Sequence, residues 1–396
     1  MSMENTPRSN RIHIGIFGKR NSGKSSLINA LTGQEIAVVS DFAGTTTDPV
    51  YKAMEIHGLG ACVFIDTAGL DDEGELGALR IKQTMRAMER TDIALIVCID
   101  DQIDQELQWS KWLKEKNTPI LWILNKADLH ADSEQIARRI EKRCGQMPLI
   151  VSARNREGME EIRRSMIGQF PDETMERGIV GRLVSAGDVV MLVMPQDIQA
   201  PKGRLILPQV QTIRELLDRK CLVMSCTTEN ITSMLQALVE PPKLIITDSQ
   251  VFKTVYELKP EASRLTSFSV LFAQYKGDID YYIEGANAIS QLTEKSKVLI
   301  AEACTHVPLT EDIGRVKIPR MLRKRIGEGL QIDMVSGTDF PEDLSSYDLV
   351  IHCGACMFNR KYVLNRVAQA RNQHIPMTNY GVVIAYINGI LDKIDY

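Results

Sequence analysis

Two sets of residues in this chain have types and spacings that could do chemistry. The first is Gly18-Lys19-Arg20-Asn21-Ser22-Gly23-Lys24-Ser25, which reads G-x-x-x-x-G-K-S and runs on into Ser26. Glycines at these positions let the backbone curl so that its N–H groups face phosphate oxygens. Lys24 neutralises those oxygens, and the Ser25 hydroxyl can ligate Mg²⁺. Asp66-Thr67-Ala68-Gly69 follows an apolar run; Asp66 can hold Mg²⁺ through water, and the Gly69 N–H can reach a γ-phosphate. In Asn125-Lys126-Ala127-Asp128 the Asp128 carboxylate can accept from guanine N1–H and from the exocyclic amine. Adenine offers neither donor, so a buried carboxylate would be stranded, a discrimination on the order of 10⁴. Ser152-Ala153-Arg154 can reach the guanine O6 through backbone N–H, and Gly44-Thr45-Thr46-Thr47-Asp48 can supply Thr46 to the Mg²⁺ shell. Five segments in this order at strand ends point to a GTP site, with Lys24, Thr46 and Gly69 serving hydrolysis.

The second set consists of thiols and imidazoles. Cys304-Thr305-His306 and His352-Cys353-Gly354-Ala355-Cys356 each follow an apolar run directly. Three of the 8 cysteines and two of the 6 histidines gather in these two segments. C-x-x-C presents two thiolates on a tight turn, suited to one metal centre. Soft thiolates suit zinc and iron–sulfur clusters alike, and the residues alone leave that choice open. Cys62, Cys98, Cys221 and Cys226 sit in or beside apolar runs and read as small core hydrophobes.

Both sets need a scaffold. Apolar runs at 12–17, 61–65, 93–99, 120–124 and 149–151 alternate with helical patterns, which predicts parallel βαβ units. A break at Phe170-Pro171 and a charged stretch to Gly187 end this part. Alternation resumes with runs at 189–194, 221–224, 244–246 and 265–272, between helical stretches at 209–219 and 231–239. A third series has runs at 298–303, 332–335 and 349–351, then helices at 362–371 and about 382–390. The expected architecture is three consecutive α/β domains, the first of P-loop GTPase type and the others built on parallel sheets. Their expected bounds are 1–172 for the nucleotide domain, 180–270, and 271–396. The stretch 277–292 could belong to either neighbour. No internal repeat is evident.

The bulk composition narrows the function. Of 396 residues, 44% are hydrophobic and 25% charged, an ordinary globular balance. Net charge is −4, from 47 basic and 51 acidic residues, which disfavours a nucleic-acid partner. The basic run Arg320, Arg323, Lys324, Arg325 reads as a solvated helix face. The start of the chain is polar, and no apolar run approaches the ~18 residues of a membrane span. A cytoplasmic location is expected.

Residues 11–170 resemble the TrmE/Era branch of GTPases, in which Gly-Thr-Thr marks the switch segment. The resemblance implies Mg²⁺ on Thr46 and K⁺ held by Asn21. Leu70 stands where Ras-like enzymes carry a glutamine, which implies slow intrinsic turnover, at or below about 10⁻² s⁻¹. Glu73 or Glu75 could act in the second switch. The whole chain resembles the HydF family of [FeFe]-hydrogenase maturation GTPases, on C-x-H followed by H-C-x-x-C. This implies a [4Fe–4S] cluster on Cys304, Cys353 and Cys356 with one exchangeable ligand, His352 (preferred) or His306. It also implies a homodimer that receives a two-iron precursor from radical-SAM maturases and passes it to apo-hydrogenase. An RNA-modification or ribosome-assembly GTPase with a zinc-binding final domain remains the alternative.

Overall fold

The fold is taken from a computed structural model that describes residues 7–33, 50–56, 58–67, 75–170, 178–195, 205–303 and 312–396. The chain forms two compact units, Met1–Met175 and Glu176–Tyr396.

The first unit is a six-stranded sheet ordered β2-β3-β1-β4-β5-β6. Its strands are β1 (Ile12–Phe17), β2 (Val50–Ile56), β3 (Gly60–Asp66), β4 (Ile93–Cys98), β5 (Ile120–Leu124) and β6 (Leu149–Ile150). Strands β4 and β5 are buried at every position, as expected of central parallel strands covered on both faces. The helices are α1 (Lys24–Thr32), α2 (Glu75–Glu89), α3 (Asp104–Glu115), α4 (Ser133–Cys144) and α5 (Met159–Gly168). In α4, Ile136, Ala137 and Ile140 form the buried stripe, and Gly145 ends the helix in left-handed backbone (φ 81°). Strand β2 does not appear among the apolar runs of the sequence. It pairs antiparallel with β3 at the sheet edge, Val50 opposite Asp66 and Ile56 opposite Gly60. Ala53 and Glu55 lie exposed on its open face, and Lys52 interrupts the face that carries Met54 and Ile56, which hides the strand from a search for apolar runs.

The second unit holds two four-stranded sheets, both wholly parallel. One is ordered β10-β9-β7-β8, from β7 (Val189–Val193), β8 (Leu222–Cys226), β9 (Leu244–Thr247) and β10 (Arg264–Ser267). The other is ordered β12-β11-β13-β14, from β11 (Lys297–Glu302), β12 (Gln331–Ser336), β13 (Leu349–His352) and β14 (Met377–Asn379). Helices α6 (Leu207–Asp218), α7 (Ile231–Gln236), α8 (Phe252–Leu258) and α9 (Phe268–Lys276) accompany the first sheet. With the second come α10 (Ile279–Asn287), α11 (Ile318–Ile326), α12 (Arg360–Asn372) and α13 (Tyr380–Ile387). One apolar cluster joins the two sheets, since Met191 and Ile245 share it with Leu299, Val350 and Ile394.

The run 265–272 is split between β10 and α9. The Ser267 side chain accepts from Val270 N and turns an extended chain into a helix at mid-run. The stretch after α9 attaches to the second sheet. A Cβ on Gly285 would lie 2.1 Å from Met377 O, and the Tyr281 hydroxyl donates to Ile375 O at 2.7 Å. In α11 the basic run lies outward, with Arg320, Lys324 and Arg325 exposed while Ile318 and Leu322 are buried. No helix among the described residues is long and apolar enough to cross a membrane.

Candidate functional site

In the first unit, β1 stands at the middle of the sheet, with β3 on one side and β4 on the other. At such a switch point the carboxyl ends of the strands part and leave a crevice. The loop 18–23 emerges there. Asn21 (φ 60°) and Gly23 (φ 88°) take left-handed backbone, which asparagine and glycine tolerate best. Gly18 is required sterically, because a Cβ would lie 2.4 Å from Val97 O. Helix α1 begins directly after this loop, so its first turn, with Lys24, Ser25 and Ser26, opens at the same crevice. Lys24 Nζ donates to Gly18 O at 2.7 Å and to Lys19 O at 2.8 Å, so its ammonium sits over the loop. Ser22 is buried, and its hydroxyl has no hydrogen-bond partner among the described residues. Ser25 Oγ donates to Asp66 Oδ2 at 2.9 Å, which brings into contact the two groups expected to hold Mg²⁺. Thr67 Oγ1 donates to Ile16 O at 2.6 Å and fixes the chain just after Asp66.

The residues expected from the sequence to read guanine come from the ends of β5 and β6. Asn125 joins three loops. Its Nδ2 donates to Ser22 O at 2.9 Å, and its Oδ1 accepts from Ala153 N at 3.1 Å. A Cβ on Gly23 would meet this amide nitrogen at 2.3 Å, so the phosphate loop and the base loop fit each other through one side chain. Lys126 is left-handed (φ 62°), which turns the exposed Asp128 carboxylate back toward Ser152. The buried Ser152 hydroxyl donates to Asp128 Oδ1 at 2.6 Å and accepts from Asn155 N at 3.1 Å. The carboxylate is thus oriented before any base arrives.

One polar pair beside this site is not evident in the sequence motifs. Glu106 of α3 is 1% exposed, its Oε2 has no hydrogen-bond partner among the described residues, and it lies 3.8 Å from Lys19 Nζ. Burial pushes its carboxyl above the ordinary range. The same lysine donates to Gln102 O. Its only sequence signal is an acidic residue on the buried stripe of an amphipathic helix.

In the second sheet of the other unit, β11 and β13 are neighbours while β12 flanks β11 on its far side. Ala303 at the end of β11 and the segment 352–356 at the end of β13 therefore lie at adjacent strand ends, at the switch point. Ala303 N donates to Cys353 Sγ at 3.0 Å, and Ala355 N lies 3.4 Å from the same sulfur. Amide donors on sulfur favour the thiolate, the form a metal or cluster binds. His352 is wholly buried at the end of β13. Arg366 Nη1 lies 2.9 Å from its Nε2, and since a guanidinium only donates, Nε2 is the acceptor. Nδ1 then carries the proton and donates to Cys353 O at 2.6 Å. Burial first, and Arg366 next, push the imidazole down to about 3. Arg366 is itself held over the rings of Phe340 (4.7 Å) and Tyr362 (4.4 Å). His352 has no lone pair left for a metal in this arrangement, against the preference drawn from the sequence.

Thr46, Gly69, Leu70, Glu73, Cys304 and His306 lie outside the described residues. Among the described residues no three His, Cys, Asp or Glu side chains converge as a metal site. The buried cysteines behave as expected, with Cys62 and Cys98 enclosed and their thiols pushed well up by burial.

Residues 13–126 match the 50S ribosome-binding GTPase family. GTPase Der of Wolinella succinogenes is 36% identical over 166 residues, covering 39% of this chain and 35% of that protein. The tRNA modification GTPase MnmE of Bordetella petrii is 34% identical over 158 residues, covering 39% of this chain and 33% of the other. The chain thus spans about a third of the length of these relatives. A solved structure of Era from Aquifex aeolicus is similar over 54% of this chain and 92% of its own, at 20% identity and a TM-score of 0.35. The first unit is a P-loop GTPase domain, which binds GTP with Mg²⁺. Residues 179–277 match the hydrogen maturase F dimerization domain, and residues 280–394 match the hydrogen maturase F tetramerization domain. These two modules span more than half of the chain and follow a GTPase domain in the same polypeptide, and the chain belongs to the hydrogen maturase F (HydF) family.

Proposed function

We propose that this protein is a GTP-hydrolysing scaffold of [FeFe]-hydrogenase maturation, located in the cytoplasm. It would bind a [4Fe–4S] cluster and deliver a two-iron precursor, made by radical-SAM maturases, to apo-hydrogenase. The observation that carries this reading is the succession of a GTPase domain and two hydrogen maturase modules, with Cys353 placed beside Ala303 at the switch point of the last sheet. The donor set fits the cluster, because Cys353 already receives amide N–H groups and Cys304 follows Ala303 directly. Cys304, Cys353 and Cys356 hold three irons, and the cluster supplies an open iron for exchange. His352 is engaged by Arg366 and Cys353 O, so the displaceable ligand falls to His306, with His352 orienting the loop. The functional division of the chain is 1–172 for GTP, 180–270 for dimerisation and 271–396 for the cluster. The open edge of β8, with Leu222 59% exposed and Leu217 of α6 54% exposed, is the surface for a second copy.

In the GTPase domain Lys24, Thr46 and Gly69 act on the phosphates, while Ser25, Thr46 and Asp66 hold Mg²⁺. Asn21 ligates a K⁺ ion that takes the place of an arginine finger. A ribosome-assembly or RNA-modification role would rest on the first unit alone, which HydF proteins share with those GTPases. Anaerobic reconstitution with iron and sulfide, followed by transfer to apo-hydrogenase, tests the whole reading. Wild type should activate the hydrogenase, and Cys→Ser changes at 304, 353 and 356 should abolish this while GTP turnover persists. Stoichiometric zinc with full activation by the triple serine variant would sink it.

A further inference from the structure

Helix α9 ends on Lys276, which is only 2% exposed. Phe268, Phe272 and Lys276 recur at every fourth position among its buried residues, so the ammonium lies on the face that a core hydrophobe would normally occupy. A buried cation is costly unless its donors are all met. Here Nζ donates to Ala355 O at 3.2 Å, Cys356 O at 3.2 Å and Phe358 O at 2.8 Å. All three acceptors belong to the loop that carries the C-x-x-C thiols. Arg360 Nε donates to Tyr275 O at 3.0 Å, a second tie between the same helix end and the start of α12.

The geometry has a directional result. No peptide bond here is cis, and in a trans peptide the carbonyl points opposite to the following N–H. Drawing the carbonyls of residues 355, 356 and 358 to one ammonium turns the N–H groups of Cys356, Met357 and Asn359 to the other face of the loop. Ala355 takes left-handed backbone (φ 45°), which an alanine adopts only when its surroundings hold it there.

We propose that Lys276 is a positioning residue for the cysteine loop, gathering its carbonyls on one side so that amide N–H groups meet an anionic metal–thiolate centre on the other. The identity of that centre rests on the iron–sulfur reading above; the ordering of the loop does not. The test uses the full chain in two states. In metal-free, reduced protein, alkylation of Cys353 and Cys356 by iodoacetamide is followed by mass spectrometry, with buried Cys221 as the internal reference for the fold. Lys276→Met should label the two loop cysteines at least about tenfold faster, the weight of one lost charge-assisted hydrogen bond on a local opening, while Cys221 stays slow. Unchanged labelling with Cys221 still slow overturns the proposal. If Cys221 accelerates in step, the variant has lost its fold, and Lys276→Gln is read by the same criterion; its amide can serve only two of the three carbonyls, so a smaller acceleration is expected. After anaerobic reconstitution, the cluster midpoint potential should move to more negative values in the methionine variant and return toward wild type in Lys276→Arg. Equal potentials in all three would overturn the orienting role and leave mere support. Failure of wild type to take up iron would count against the iron–sulfur reading, and the labelling comparison would still decide the role of Lys276.

Discussion

Asn125 and Asp128 hold different parts of the nucleotide crevice. Asn125 holds loop 18–23 against the loop after β6, through Ser22 O and Ala153 N, while Asp128 is the residue proposed to read the base. Ser152 keeps the Asp128 carboxylate aimed, and Asp128→Asn should leave that hydrogen bond in place while replacing the base-side acceptor with a donor. The variant should bind GTP at least about a hundredfold more weakly and favour a xanthosine nucleotide, as a titration with fluorescent analogues would show. Equal affinity of the variant for both bases would refute the assignment. Glu106 gives a prediction in pH. Its folded carboxyl is raised by burial, so its contribution to stability is present below the unfolded carboxylate value and is lost as pH rises through the folded one. Glu106→Gln should therefore gain in urea midpoint over wild type as pH goes from about 4.5 to about 7. A constant difference across that range would mean the carboxyl does not titrate there. The motif residues were legible in sequence because phosphate and guanine dictate their types and spacing. Glu106 and Lys276 were not, because a charged residue on an amphipathic helix is ordinarily solvated, and only tertiary packing turns these two inward.

At the scale of elements, the clearest case is the boundary between β10 and α9. The apolar run 265–272 has no periodicity that separates a strand from a buried helix. Ser267 decides it by capping Val270 N, and the helix so begun delivers Lys276 to the cysteine loop eight residues after Phe268. Helix α10 shows the opposite dependence, since its position is set by an absent side chain. Gly285 lies against the Met377 backbone, where a Cβ would come within 2.1 Å of the carbonyl oxygen. Gly285→Ala should cost about 3 kcal/mol, because neither a helix nor a hydrogen-bonded strand yields easily. Urea unfolding followed by circular dichroism would read this, and a loss near zero would show that α10 shifts freely on β14. The central strands β1, β4, β5, β7 and β13 were plain in the sequence as apolar runs. Strand β2 was not, because an antiparallel edge strand carries polar residues on its open face.

At the scale of the molecule, the two sheets of the second unit repeat one plan. In each, the first strand is central, the second flanks it, and the third and fourth build outward on the other side. No sequence repeat announced this, because the plan depends on burial and crossover geometry and many apolar sequences satisfy it. The sheets also depend on each other. Ile390 and Ile394 lie in the cluster that contains Met191 and Ile245, Arg264 binds Asp395 at 2.7 Å, and Asp395 N donates to Leu265 O at 2.8 Å. Removing residues 388–396 should cost this unit several kcal/mol, at about 2–5 kcal/mol for each buried isoleucine lost, and leave GTP-analogue binding intact. Limited proteolysis should then digest 176–396 while sparing the first unit, and equal resistance of both would contradict the shared core. The same tie has a consequence in time during synthesis. β10 waits for a partner 131 residues further along the chain, a delay of roughly 7–26 s at ordinary ribosome speeds. Throughout that interval the GTPase domain can already be folded, while the nascent middle sheet keeps an uncovered apolar face, so the newborn chain should be a client of ribosome-associated chaperones until its last helix emerges.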